Sequence, residues 1–275
     1  MTSPSAPDRP ARRPAGRRTA AFFDLDKTII ATSSTAAFSR PFLAGGLLSR
    51  SAVLRAAYAH FVFLVGSADA DQTERMRAHL SSMVTGWPVE QVSSIVAETL
   101  HELIDPYVYS EAVELIAQHR AAGRDVVVVS ASGAELVEPI AAMLGADHAV
   151  STRMEVVDGR YTGGIDFYAY GDNKAAEIYR LAEEHGYDLD GSYAYSDSIT
   201  DAPMLGAVGH GFAVNPDRTL RRLAAEEGWG VLTFSRPVAL RRTISPRASV
   251  TAGAAVLVGT GAALVLWRVL RRRGA

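Results

Sequence analysis

The 275 residues contain no cysteine, which excludes disulfides, zinc–thiolate centres and thiol nucleophiles and leaves oxygen-ligated hard cations as the metals to expect. No internal repeat divides the chain. Basic residues are densest at the two ends of the sequence and are not interleaved with aromatic ones in its middle, so no nucleic-acid partner is expected. Residues 1–18 hold Arg9, Arg12, Arg13, Arg17 and Arg18 against Asp8 and have no apolar run. Such a segment cannot bury enough surface to offset its ordering entropy, and it reads as a disordered basic tail. It also lacks the apolar stretch of a secretory signal, so the cytoplasm is the expected place for the domain after it. The chain does have bulk: 48% apolar residues over this length suffice for one α/β domain with a smaller inserted module.

The apolar run at 19–24 predicts a short buried strand that carries Asp24 at its carboxyl end, where open α/β sheets place their ligands. From 33 to 105 the pattern turns helical, which predicts an all-helical insertion. An α/β rhythm then resumes. Helix 110–122 ends at Gly123, a valine-rich strand covers 125–129, and a helix spans 133–144. A small hairpin around Asp158-Gly159 reads as a side element. Helix 173–185, strand 192–196, a helix near 201–205, strand 211–214 and helix 216–227 complete a predicted parallel sheet in a core of residues 19–32 and 106–234. A basic linker occupies 235–248. Residues 249–267 then run nineteen positions without a charge and end in Arg268 and Arg271 to Arg273, with a basic tail at 268–275. That length matches a hydrocarbon core of roughly 30 Å. A single-pass C-terminal membrane anchor is therefore expected, with the catalytic domain on the cytoplasmic side; arginine on both flanks leaves its orientation open.

Four stretches carry the chemistry: Asp24-Leu25-Asp26-Lys27-Thr28, Ser130, Lys174, and Asp197 with Asp201. Hydrolysing a phosphate monoester takes a nucleophile, a proton donor for the leaving oxygen, and cations that neutralise the phosphoryl oxygens. Asp24 suits the nucleophile. Asp26, two residues on, suits the acid that protonates the leaving group and later deprotonates water, for which it must carry the proton at the start. Asp197 and Asp201 suit Mg²⁺, because a carboxylate and a phosphate meet only with a cation between them. Lys174 supplies a fixed positive charge, and Ser130, ending the valine strand, supplies a hydroxyl and nearby N–H groups for a phosphoryl oxygen.

In this order and spacing the stretches resemble the haloacid dehalogenase superfamily over about residues 19–234. Its Asp-x-Asp-x-Thr motif fits Asp24 to Thr28, its serine fits Ser130, its lysine Lys174, and its acidic motif Asp197 to Asp201. The insertion looks like the helical C1 cap of the phosphoserine-phosphatase-like branch (subfamily IB), and the hairpin before Lys174 is also similar to that branch. The resemblance implies a Rossmann-like parallel sheet and a phosphatase. By the same likeness Mg²⁺ sits on the carboxylates of Asp24 and Asp197 and the main-chain carbonyl of Asp26, with Asp201 completing the acidic set. Two departures bear on the substrate. Ser33 stands where those enzymes hold a substrate amino group with Glu, and Ser130-Ala131-Ser132 replaces their Ser-Gly-Gly, so phosphoserine itself is not expected. A small phosphorylated metabolite or a lysolipid-type phosphate is the expected substrate. The apolar segment 41–65 reads first as packing between the helices of the insertion; the sharper reading, that part of it meets lipid or an acyl chain, is made worth testing by the C-terminal run. A regulatory membrane protein with a phosphatase-like binding domain is the alternative, and phosphotransfer to an acceptor other than water would use the same residues.

Overall fold

The computed structural model describes residues 18–48, 81 and 83–237. All of them lie in the first of two compact units, Met1–Val238; the second is Ala239–Ala275. The basic tail, the middle of the insertion and the charge-free run 249–267 lie outside the described residues. Among the described residues no helix is long and apolar enough to cross a membrane.

A seven-stranded sheet organises the first unit, in the order β4-β3-β2-β1-β5-β6-β7. Its centre is β1 (Ala20–Asp24), paired in parallel with β2 (Asp125–Gly133) on one side and β5 (Tyr193–Ser196) on the other. All five residues of β1 and Val126 to Val129 are buried, as strands covered on both faces must be. Beyond β5 lie β6 (His210–Val214) and β7 (Gly230–Leu232), also parallel. Because the chain moves outward in opposite directions from β1, a crevice opens at the carboxyl ends of the central strands.

Two helices of the insertion are described, α1 (Ser34–Ala44) and α2 (Val89–Ile104). In α2 the buried residues Val92, Val96, Leu100 and Ile104 recur every four positions, one apolar stripe turned inward. The core helices are α3 (Ser110–Ala121), α4 (Ala134–Leu144), α5 (Asp172–His185), α6 (Ala202–Gly206) and α7 (Arg218–Glu227). In α7 the Asp217 side chain accepts from Leu220 N at 2.8 Å, satisfying one of the free N–H groups at the helix start.

The hairpin is not the side element expected from sequence. Its first strand, β3 (His148–Val157), enters as a parallel neighbour of β2 through Val127↔His148 and Val129↔Val150. It then runs on to pair antiparallel with β4 (Arg160–Phe167). Asp158 and Gly159 have φ of 50° and 71°, the left-handed pair a two-residue type I′ turn needs. The start of β3 was hidden because His148 and Ala149 are only partly covered and offer no apolar run. The hairpin also holds the insertion: Gly86 N donates to Tyr161 O at 2.7 Å, Tyr161 N to Trp87 O at 3.1 Å, and Val89 N to Gly159 O at 3.0 Å.

Below the sheet's other face, His119 of α3 is buried against Phe23, Tyr195 and Tyr193, and a 2.8 Å hydrogen bond joins its Nε2 to the Tyr195 hydroxyl. Burial, aided by Arg124, holds this imidazole down at about 4. The unfolded chain takes up a proton near the usual 6.5 and the folded one only near 4, so His119 withdraws stability as pH falls through that window. Compared by urea unfolding at about pH 7.5 and about pH 4.5, the wild type should lose about 2 to 3 kcal/mol more than His119→Phe on acidification.

Candidate active site

Sheet register assembles the site. Asp24 is the last residue of β1 and faces Val129 of β2, so Ser130 lies one step beyond it. On the other side Phe23 pairs with Tyr195, which puts Ser196 level with Asp24 and Asp197 just past the strand end. Lys174 comes from the first turn of α5. Its ammonium donates to Asp24 Oδ1 at 2.7 Å and to Asp201 Oδ2 at 2.8 Å, with Lys174 and Asp201 2% exposed and Asp24 6%. It is thus a buried centre of charge, not the surface lysine that its place at a helix start alone would suggest. Asp201 Oδ2 also accepts from Ser196 Oγ at 2.7 Å, which locks that carboxylate against the sheet. Asp197 is tied to the first motif: its N–H donates to Thr28 Oγ1 at 3.0 Å, and Thr28 Oγ1 lies 3.4 Å from Asp197 Oδ1.

The chain leaves β1 through a tight turn in which Leu25 O accepts from Ile29 N and Ile30 N at 3.0 and 3.1 Å. Lys27 sits at φ 63°, a left-handed conformation uncommon outside glycine. That turn carries Asp26 to the start of α1, where Ser34 N donates to its Oδ1 at 2.8 Å and Ser132 Oγ to its Oδ2 at 3.2 Å. Ser130, 1% exposed, accepts Ser132 N at 3.2 Å. All six residues singled out from the sequence therefore gather at the carboxyl edge of the central strands. Ser34, Ser132 and Ser196 were not assigned roles from sequence. A serine beside a motif has no periodicity or spacing that separates a capping hydroxyl from one aimed at a carboxylate. Ser33, by contrast, serves as the extended residue before α1, and its carbonyl accepts from Ala37 N at 3.0 Å.

Three carboxylates share this pocket with one buried lysine. Burial raises Asp24, with Asp201 and Asp197 adding and Lys174 opposing, to about 8. Burial likewise raises Asp197 to about 6, with Asp201 adding and Lys27 and Lys174 opposing. Burial works against the charge of Lys174, but Asp24 and Asp201 outweigh it and hold the ammonium above its usual range. Such an excess of buried negative charge suits a hard cation. Among the described residues no group of three or more His, Cys, Asp or Glu side chains is arranged to hold a metal ion by itself. Mg²⁺ does not need one, since it takes one or two carboxylates and fills its octahedron with water and phosphate oxygens. Asp24, Asp197 and the Asp26 carbonyl, the groups that the resemblance assigns to Mg²⁺, would be the ones to hold it.

Several relatives match nearly end to end. A probable phosphatase of Mycobacterium tuberculosis (strain H37Rv) is 57% identical over 277 residues, covering 98% of this chain and 96% of the relative. A Streptomyces azureus protein named for inhibition of morphological differentiation is 58% identical over 262 residues, covering 93% and 95%. Among solved structures, a Bordetella pertussis Tohama I protein of unknown function superposes with a TM-score of 0.68 at 29% identity, covering 79% of this chain and 99% of that one. A phosphoserine phosphatase holding a phospho-aspartyl intermediate analogue gives 0.58 at 21% identity, covering 82% and 97%, a likeness of fold alone. The family model of haloacid dehalogenase-like hydrolases matches residues 21–206, the stretch that contains every site residue described above. On that match and the nearly full-length relatives, the chain belongs to the haloacid dehalogenase-like hydrolase family.

Proposed function

We propose that this hydrolase is a Mg²⁺-dependent phosphomonoesterase that works through an aspartyl-phosphate. The observation that carries the reading is Lys174 bridging Asp24 and Asp201 inside a buried acidic pocket, with Asp26 held two residues from the nucleophile. The name of the Mycobacterium relative points the same way. Bound Mg²⁺ would neutralise phosphoryl oxygens and let the substrate approach a carboxylate. The chain's own groups do the rest. Asp24 attacks phosphorus as the bond to the leaving oxygen breaks, and Asp26 gives that oxygen its proton. Water then attacks the phosphorylated Asp24, Asp26 takes the water's proton, and inorganic phosphate departs. Lys174 holds Asp24 in line and offsets charge throughout, while the Ser130 hydroxyl would donate to a phosphoryl oxygen.

The substrate is a small phosphorylated metabolite or a lipid phosphate. Ser33 in place of an acidic residue removes a counter-ion for an amino group, which supports a substrate other than a free phosphoamino acid. The uncharged run 249–267 supports a membrane tether with the catalytic domain in the cytoplasm. Full-length protein should hydrolyse a generic aryl phosphate with Mg²⁺, and chelation should lower the rate by at least about 100-fold, restored by adding the metal back. Activity indifferent to chelation rejects the metal. Membrane fractions should retain the full chain and lose one that stops at residue 238; equal partitioning rejects the tether.

A regulatory protein with a phosphatase-like domain is the second reading, favoured by the name of the Streptomyces relative. It requires no proton-transfer group, yet Asp26 is held by donors on both carboxylate oxygens. A metabolite screen that finds no substrate, together with partner binding unchanged in Asp24→Asn, would establish it.

A further inference from the structure

We propose that Ser132, together with Ser34, positions Asp26 for proton transfer to the leaving oxygen and from the attacking water. The inference rests on the reading of Asp26 as the acid and base of the reaction. Asp26 receives one donor on each oxygen: Ser34 N at 2.8 Å on Oδ1 and Ser132 Oγ at 3.2 Å on Oδ2. The two donors differ in kind. A main-chain N–H can only donate, so Oδ1 is held as an acceptor in every protonation state. A hydroxyl can donate or accept, so Ser132 can donate to Oδ2 when Asp26 is ionised and accept from it when Asp26 carries the proton. Oδ2 is thus the oxygen whose proton can come and go without leaving a group unpaired.

Ser132 is itself held. Its N–H donates to Ser130 Oγ at 3.2 Å, and the preceding carbonyl, that of Ala131, accepts from Thr152 Oγ1 at 2.7 Å. Its hydroxyl has further partners in Ser34 Oγ at 2.9 Å and Thr35 Oγ1 at 3.4 Å, so it keeps a bond whichever way its hydrogen points. Ser34 opens α1 of the insertion and Ser132 lies near the end of the core strand β2. The carboxyl of Asp26 is therefore clamped at the seam between cap and core. A glycine at position 132, as in the enzymes this chain resembles, makes no side-chain bond of this kind.

Leaving-group dependence tests this, because proton donation matters more as the departing oxygen becomes more basic. Full-length wild type, Ser132→Gly, Ser132→Thr and Ser34→Ala would be assayed with Mg²⁺ on a series running from p-nitrophenyl to phenyl to p-methoxyphenyl phosphate. Thermal melts establish that each variant is folded. For Ser132→Gly, kcat should fall about 10-fold or more on the basic leaving groups and under about 3-fold on p-nitrophenyl phosphate, with KM little changed. Ser132→Thr, which keeps the hydroxyl, should restore the wild-type slope. Ser34→Ala, which keeps the main-chain donor and removes only the hydroxyl that steadies Ser132, should give a smaller steepening, and Ser132→Ala carries the test if Ser132→Gly does not fold. In an Asp26→Asn background, Ser132→Gly should add no further dependence on the leaving group. A uniform loss across the series, a rise confined to KM, or no loss overturns the inference while leaving the phosphatase standing. A wild type inert on every ester overturns both.

Discussion

Asp24→Asn is expected to abolish turnover, by at least about 10³-fold in kcat, and at the same time to leave the fold as stable as before or more so. An amide has the shape of the carboxylate and lacks the oxygen anion that attacks phosphorus. The stability half of the expectation comes from the pocket. Burial and the neighbouring Asp201 and Asp197 already push Asp24 up to about 8, so its charge is a liability in the folded state. Removing it still leaves Lys174 paired with Asp201 at 2.8 Å. Paired measurements of aryl phosphate hydrolysis and thermal midpoint decide the matter. Activity that survives the substitution eliminates the covalent mechanism, and a midpoint that drops sharply would mean Asp24 is holding the fold together.

Lys174→Met should do the opposite to stability. The ammonium lies between Asp24 and Asp201, each of them buried, and its removal leaves those charges without a partner. Breaking a buried pair from one side costs about 3 to 5 kcal/mol. The loss should depend on pH in a direction that can be worked out. Asp24 in the folded chain titrates near 8 and in the unfolded chain near 3.8, so between these values the folded state holds the extra proton. A group with its folded pKa raised contributes stability at low pH and loses it as pH rises through the folded value. Without Lys174 to oppose the rise, the variant should trail wild type by a constant amount from about pH 5 to about pH 7, where both folded chains hold the proton, and fall further behind as pH rises from about 8 to about 9.5. Urea unfolding in chelator across that range measures it. A deficit that is flat with pH would show that Lys174 contributes by packing and not by charge. Activity should fall with the same substitution by about 10² to 10³-fold, because the attacking oxygen loses its alignment.

Much of this arrangement could be read from the order of residues. Asp24 after a buried Ala-Ala-Phe-Phe run, valines before Ser130, and an acidic pair after another short strand all announce ligands at strand ends, because a fully buried strand has only its tip to offer to solvent. The Asp158-Gly159 turn was equally plain, since left-handed backbone at two successive positions restricts the residues that fit. Other elements were not legible. The edge strand β7, three residues with Val231 exposed, has neither length nor alternation to mark it. The start of β3 carries no apolar run, and its membership in the sheet comes from the valines of β2 needing a neighbour for their main-chain groups.

The amino-acid sequence by itself determined the kind of chemistry and the residues equipped for it, because side-chain type and strand position are local properties. Tertiary structure decided which of those groups meet. That Lys174 is buried between two aspartates 150 and 27 residues away, and that Ser132 rather than Ser33 reaches Asp26 across 106 residues, depends on sheet register and on where the insertion lands. Neither can be had from spacing along a chain, since distances across a fold are set by what the strands and helices pack against.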